Sequence, residues 1–125
     1  MIQEKALARA LPGSAAVVNF TGTWKNELGS EMEITQSGFE LAGEYRSAVS
    51  SSGSQAKGQL KGYANGDLIS VVVHWNDFQA ITAWVGQLDK AQTTLNTLWQ
   101  MTKQVDPGDE WASINAGADY FSKVR

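Results

Sequence analysis

The chain contains no cysteine and only one histidine, His74, among its 125 residues. Without thiols it has no disulfide framework, no thiolate metal site and no thiol nucleophile. A single imidazole excludes a zinc site built on several histidines. No apolar run is long enough to cross a bilayer. The sequence therefore predicts no metal, no cofactor and no membrane partner.

Charge is sparse, and proline is rarer than glycine. Ten Lys and Arg stand against thirteen Asp and Glu, which gives a formal net charge of −3, and charged residues make up 18% of the chain. This balance disfavours nucleic acid as a partner, because nucleic-acid binding needs a basic footprint. Two Pro, twelve Gly and five Trp favour tight turns around an aromatic-lined interior over a helical bundle.

The N-terminal segment differs in composition from the rest of the chain. Residues 4–11 are rich in Ala and Leu, which favours helix, and Pro12-Gly13 ends that pattern. The segment is too short and too charged for the apolar core of a signal peptide. We expect residues 1–19 to form an arm that is a short helix or disordered, followed by one domain over residues 20–125.

From Phe20 onward, short alternating runs are separated by Gly, Ser, Asn and Asp, a pattern typical of an all-β sandwich or barrel. Short connections predict antiparallel pairing. Eight strands in up-and-down order favour closure into a barrel with room for one small ligand, although periodicity alone leaves a sandwich open. Asn65-Gly66 predicts a type I′ hairpin turn. The predicted strands are Gly22–Lys25, Glu31–Gln36, Leu41–Ser47, Gly58–Tyr63, Leu68–Trp75, Gln79–Leu88, Thr93–Lys103 and Ser113–Val124.

The predicted inward faces combine aromatic and hydroxyl side chains. Trp75, Trp84 and Trp99 share the inward faces of three successive strands. Each Trp could simply fill core, but three in so small a barrel also suit a ligand-lining box, since each N–H needs a partner. Inward hydroxyls beside an apolar wall are what a small-molecule pocket requires. A catalytic triad is disfavoured because His74 falls on an outward face.

Five motifs, in order along the chain, resemble the avidin–streptavidin family of biotin-binding proteins. Their number and order make chance agreement improbable, and together they cover nearly the whole chain from Phe20. They are TGTWKNELGS at residues 21–30, GEYRSAV at 43–49, TAWVGQ at 82–87, NTLW at 96–99, and the spacing from Trp99 to Trp111 and on to Asp119.

The resemblance implies an eight-stranded antiparallel up-and-down β-barrel that binds biotin with high affinity, non-covalently and without catalysis. Asn26, Ser30 and Tyr45 would surround the ureido oxygen, and the ureido nitrogens would donate to Ser47 and Asp119. Thr82 would contact the thioether sulfur, and the three inward Trp would wall the ring. The implied biotin-binding residues are Asn26, Ser30, Tyr45, Ser47, Val49, Ser51, Trp75, Thr82, Trp84, Trp99, Met101, Trp111 and Asp119.

The resemblance also implies biotinylated molecules as partners and a homo-oligomer, with a tetramer favoured over a dimer. Trp111 would cap the site of a neighbouring subunit. The family resemblance points to a secreted or periplasmic protein, although no signal peptide is evident. Ala80 stands where the family has a Ser that binds the biotin carboxylate, so we expect the carboxylate to matter less than the ureido group.

Two other functions remain open from the sequence. A lipocalin-like carrier of another small apolar ligand would keep the barrel, but Asn26, Ser30, Tyr45, Ser47 and Asp119 would not converge. A β-barrel enzyme, or an inhibitor acting through its loops, would need a perturbed acid or base in the pocket. Asp119 is the only candidate for that role.

Overall fold

Eight antiparallel strands form a closed barrel in sequence order in the computed structural model, which describes residues 2–11, 18–48 and 53–124. The last strand pairs with the first, which confirms the up-and-down barrel and excludes the sandwich. The strands are β1 Gly22–Asn26, β2 Glu31–Ser37, β3 Glu40–Arg46, β4 Lys57–Asn65, β5 Leu68–Trp75, β6 Ala80–Leu88, β7 Thr94–Lys103 and β8 Ile114–Lys123.

Helical structure is confined to two short pieces among the described residues. The helix α1 spans Gln3–Leu7, and a 3₁₀ helix spans Glu110–Ala112 between β7 and β8. No helix in the described ranges is long and apolar enough to cross a membrane. The boundary between an arm at residues 1–19 and a barrel domain at 20–125 stays a prediction.

Strand β5 shows why the alternation of inward and outward residues predicted the strands of the barrel. Ile69, Val71, Val73 and Trp75 are buried, whereas the residues between them are exposed. Successive side chains of a strand point to opposite faces, so one face fills the barrel and the other meets solvent. His74 is exposed on the outer face, as predicted.

The hairpin between β4 and β5 has the predicted position but not the predicted turn type. Asn65 pairs with Leu68, which leaves Gly66 and Asp67 as the two central residues. Gly66 has a φ of 61°, and Asp67 does not have a positive φ. A type I′ turn needs positive φ at both central residues, so that prediction is wrong.

One end of the barrel is filled by a hydrophobic core, and the other end is the mouth. Trp24 and Phe20 pack with ring centroids 5.7 Å apart, and Trp24 Nε1 donates to the Phe20 carbonyl at 2.9 Å. This packing leaves the mouth half for the candidate site. The fully buried large core residues are Phe20, Trp24, Met32, Ile34, Leu60, Leu95, Val71, Val73 and Phe121.

Candidate functional site

A cavity of about 730 Å³ opens at the mouth, where β5 and β7 end and β6 begins. Of the predicted site residues, it is lined by Ser47, Trp75 and Met101. Ala80 contributes a further apolar contact, and Lys103 is the one cation among the described residues of the cavity wall. A cavity of this size and lining fits a small, mostly apolar molecule.

A polar cluster lies at the end of β1 and the start of β2. Asn26 Oδ1 accepts the backbone N–H of Ser30 at 2.8 Å, and Asn26 Nδ2 donates to the Tyr45 hydroxyl at 3.5 Å. Ser30 Oγ accepts the backbone N–H of Ala48 at 2.9 Å. All three side chains are buried, so these bonds fix the orientation of an amide and two hydroxyls before any ligand arrives.

Aromatic rings pack beside this cluster. Tyr45 stacks on Trp84 with ring centroids 4.8 Å apart and meets Trp75 edge-on at 5.4 Å. Trp75 Nε1 donates to Thr82 Oγ1 at 2.9 Å, and Trp84 Nε1 donates to Asp119 Oδ2 at 3.1 Å. Both indole N–H groups are therefore satisfied, and the rings form a rigid apolar surface next to the polar groups.

Gly117 makes room for the third inward tryptophan. Trp99 pairs with Gly117 across β7 and β8. A Cβ at residue 117 would lie 2.5 Å from a ring carbon of Trp99. The missing side chain lets the half-buried indole lie close to β8 and pack against the core.

Ser47 stands between the polar cluster and the mouth. Its hydroxyl oxygen accepts the backbone N–H of Ala56 at 2.9 Å. It follows the last residue of β3 and lines the cavity. Its second lone pair is available to a ligand N–H, since a hydroxyl oxygen can accept two hydrogen bonds.

Burial raises the pKa of Tyr45 to about 12, although a hydrogen bond with Ser30 offsets part of that effect. The negative charges of Asp119 and Glu27 add to the rise in pKa. The Tyr45 hydroxyl therefore keeps its proton at neutral pH and can donate it to a ligand oxygen.

Asp119 is the titratable group of the site. Burial is the main cause of its raised pKa, and the hydrogen bond from Trp84 opposes that rise. The Glu27 carboxylate raises the pKa of Asp119 further, by charge and by contact, while Asn26 lowers it. Glu27 is held in place because its Oε2 accepts the backbone N–H of Tyr120 at 3.1 Å.

The raised pKa of Asp119 predicts that this carboxylate destabilises the ligand-free barrel at neutral pH. The folded state holds the Asp119 proton more tightly than the unfolded chain, so stability falls as pH rises through the interval between the two pKa values. That interval starts near the ordinary Asp value of about 3.9. Asp119→Asn should therefore melt higher than the parent at pH 7 and show little gain below about pH 4.

Thermal scans of the two proteins across this pH range, without ligand, would test the prediction. Asp109→Asn, at an exposed position of the loop before the 3₁₀ helix, is the matched control. An equal gain in melting temperature for Asp119→Asn at pH 4 and pH 7 would contradict the destabilising effect of the Asp119 carboxylate.

The structure brings most of the predicted site residues together. Asn26, Ser30, Tyr45 and Asp119 converge through the contacts described above, and Ser47 lies at their mouth side. Trp111 stands apart: it lies on the 3₁₀ helix and is 84% exposed. The predictions for Val49 and Ser51 fall outside the described residues. The binding roles of all these residues remain predictions.

Comparison with known proteins decides which family this barrel represents. The model of the avidin family matches residues 14–124. The chain belongs to the avidin family. Avidin from Gallus gallus is 31% identical over 134 residues, spanning 96% of this chain and 88% of that protein.

Solved structures of the avidin family have the same fold. Xenavidin superposes with a TM-score of 0.72 at 30% identity, covering 86% of this chain and 99% of that one. A biotin binding protein from chicken superposes with a TM-score of 0.67 at 28% identity, covering 84% and 95%. Avidin-family proteins are non-enzymatic and need no cofactor. Family membership therefore confirms the predictions that this chain is not an enzyme and that it needs no cofactor.

Sequence reasoning missed two charged residues of this avidin-family barrel. Lys103 is the last residue of β7 and shares the inward parity of Trp99 and Met101, a signal that the alternation already carried. Glu27 lies in the loop after β1 and reaches β8. No local pattern predicts that contact, because it joins residues 93 positions apart.

Proposed function

We propose that this chain binds biotin non-covalently and with high affinity in the mouth half of the barrel. The observation that carries the proposal is the convergence of Asn26, Ser30, Tyr45 and Asp119 beside the stacked rings of Tyr45 and Trp84. A flat polar group that offers one acceptor and two N–H donors matches that arrangement. The ureido group of biotin has this chemistry.

The ureido oxygen would accept hydrogen bonds from Asn26, Ser30 and the protonated Tyr45 hydroxyl. The ureido nitrogens would donate to Ser47 and to the Asp119 carboxylate. A buried hydrogen bond to a charged group contributes about 1.5–3 kcal/mol. Orientation of these groups before binding lowers the entropy cost of association.

The remaining predicted contacts are apolar or weakly polar. The thioether sulfur would contact Thr82, whose hydroxyl already accepts the Trp75 N–H. Three Trp and Met101 would enclose the ring and the aliphatic chain. The tail would leave through the mouth, so biotin attached to a larger molecule would also bind. The further contacts that we propose from the resemblance are Val49 and Ser51.

Isothermal titration with biotin tests the proposal directly. We expect saturable heat at one biotin per chain. A biotin analogue without the ureido oxygen should bind far more weakly, because Asn26, Ser30 and Tyr45 would be left without an acceptor. Absence of heat with biotin would contradict the proposal and favour a carrier of another apolar ligand.

We also propose that the protein is a homo-oligomer, with a tetramer favoured over a dimer. Val85 and Leu98 are paired across β6 and β7 on the outer face and are 63% and 68% exposed. Val72 and two small residues of β8, Ala116 and Ala118, extend this surface. A continuous apolar patch of this kind is usually covered by a partner. Point-group symmetry is the common solution.

Trp111 supports the same assembly. With 84% of its surface exposed, it does not pack as a plug on its own barrel, and we propose that it caps the biotin of a neighbouring subunit.

We also propose a secreted or periplasmic location, which the family resemblance supports.

Trp111→Lys should loosen the assembly and speed biotin release together, because one side chain serves both interfaces. Truncation of an interfacial Trp that acts as a hot spot costs about 2 kcal/mol or more, so release should be at least about tenfold faster. Light scattering and dissociation kinetics measure the two effects, with Trp111→Phe as the conservative control. A parent protein that is monomeric and still holds biotin tightly would contradict the inter-subunit role.

A further inference from the structure

Among the described residues on the wall of the mouth cavity, the basic one is the last inward residue of β7. Leu95, Thr97, Trp99 and Met101 occupy the inward positions before it, and Lys103 continues that face. Lys103 lines the cavity together with Ser47, Trp75 and Met101. Lys103 therefore stands where the tail of a bound molecule would leave the barrel.

Neutral groups hold this ammonium in place. Lys103 Nζ donates to the Ala112 carbonyl at 3.1 Å and to Asn115 Oδ1. Within the described ranges, all ion pairs are formed by Arg46, so no described carboxylate lies within 4.0 Å of Lys103 Nζ. An ammonium has three N–H donors, and two neutral acceptors leave one donor and the full charge for a ligand.

The other charged groups around Lys103 leave one side of the mouth suited to an anion. Asp77 lines the same cavity, and Asp106 and Glu110 line the adjacent groove on the outer side of Lys103. Ala80 cannot donate a hydrogen bond. Among these groups only Lys103 attracts negative charge, so an anionic tail would lie against the β7 side of the mouth and away from Asp77.

We propose that Lys103 is a specificity-determining residue that binds the anionic tail of the ligand and favours carboxylates over neutral analogues. The inference rests on the proposed function, because it takes the ligand to be biotin with its ring bound deeper in the barrel. The contact is partly exposed, so its effect is smaller than that of a buried ion pair.

Biotin and its neutral primary amide provide the test, with dissociation constants measured at low and high salt. The parent should prefer the acid by about 3–10-fold at low salt, and the preference should shrink at high salt because partly exposed charges are screened. Lys103→Gln should bind both ligands equally. Lys103→Arg should restore the preference, and Lys61→Gln, on the exposed outer face of β4, should match the parent.

The outcomes separate this inference from the proposed function. Equal affinity of the parent for acid and amide, or an undiminished preference in Lys103→Gln, would overturn the role of Lys103 and leave biotin binding intact. Failure of both ligands to bind the parent would overturn the two proposals together. The comparison of acid and amide in the parent needs no variant, so it decides the matter even if Lys103→Gln folds poorly.

Discussion

Saturating biotin should raise the free energy of unfolding by about 4 kcal/mol when free biotin exceeds its Kd a thousandfold. The proposed contacts lie on β1, β3 and β5 to β8 and in the segments that follow β1 and β3, so they exist only while the barrel is closed, and the unfolded chain has no comparable site. A ligand that binds only the folded state adds RT ln(1 + [L]/Kd) to stability. For a domain of this size the melting temperature should rise by about 10–20 °C.

Thermal scans with increasing biotin measure this shift. Valeric acid, which has the carboxylate and aliphatic chain but no ureido group, is the control ligand and should leave the melting temperature nearly unchanged. A scan that saturating biotin does not move would remove the central proposal.

Asp119→Ala should weaken biotin by about 1.5–3 kcal/mol, because a buried ligand N–H loses its charged acceptor. This corresponds to about a 10- to 150-fold rise in Kd. Folding should change much less. The substitution removes the acceptor of Trp84 Nε1 but also removes a buried carboxylate that lies against Glu27, and these two effects oppose each other.

Competition binding measures the change in Kd, and thermal scans measure stability in the same samples. Asp109→Ala, an acidic residue exposed in the loop before the 3₁₀ helix, is the matched control. Asp119→Asn is a second variant, since it keeps an oxygen for Trp84 while losing the charge. Parent-like affinity in Asp119→Ala would show that the ureido assignment is wrong.

The strands were predictable because their signals are local. In β5 every second residue is apolar and buried, and the turn residues on either side of each strand mark its ends. Closure of the strands into a barrel could not be predicted from local signals. Periodicity left a sandwich open, since the pairing of Trp24 with Lys123 joins opposite ends of the chain and no local pattern encodes it.

The positions of several site residues were predictable, because strand parity and motif spacing determine which side chains point into the barrel. Both place Tyr45, Thr82 and Trp84 on inward faces, and these side chains are buried there. The contact of Glu27 with β8 depends on how the loop after β1 folds over the barrel, so the sequence did not predict it. The type I′ turn was wrong because Gly66 supplies the positive φ at the first central position, and Asn65 stays in the strand.

We expect the seam between β1 and β8 to form late in folding, and the ligand site with it. The seam consists of three residue pairs, Trp24–Asn26 with Phe121–Lys123, and it closes a loop of almost the whole barrel sequence. The entropy of closing this loop is lost before its contacts form, and contacts of such sequence separation slow folding. Asn26 and Asp119 stand on opposite sides of the seam, so a molecule bound between them would hold β1 and β8 together and slow the separation of these two strands.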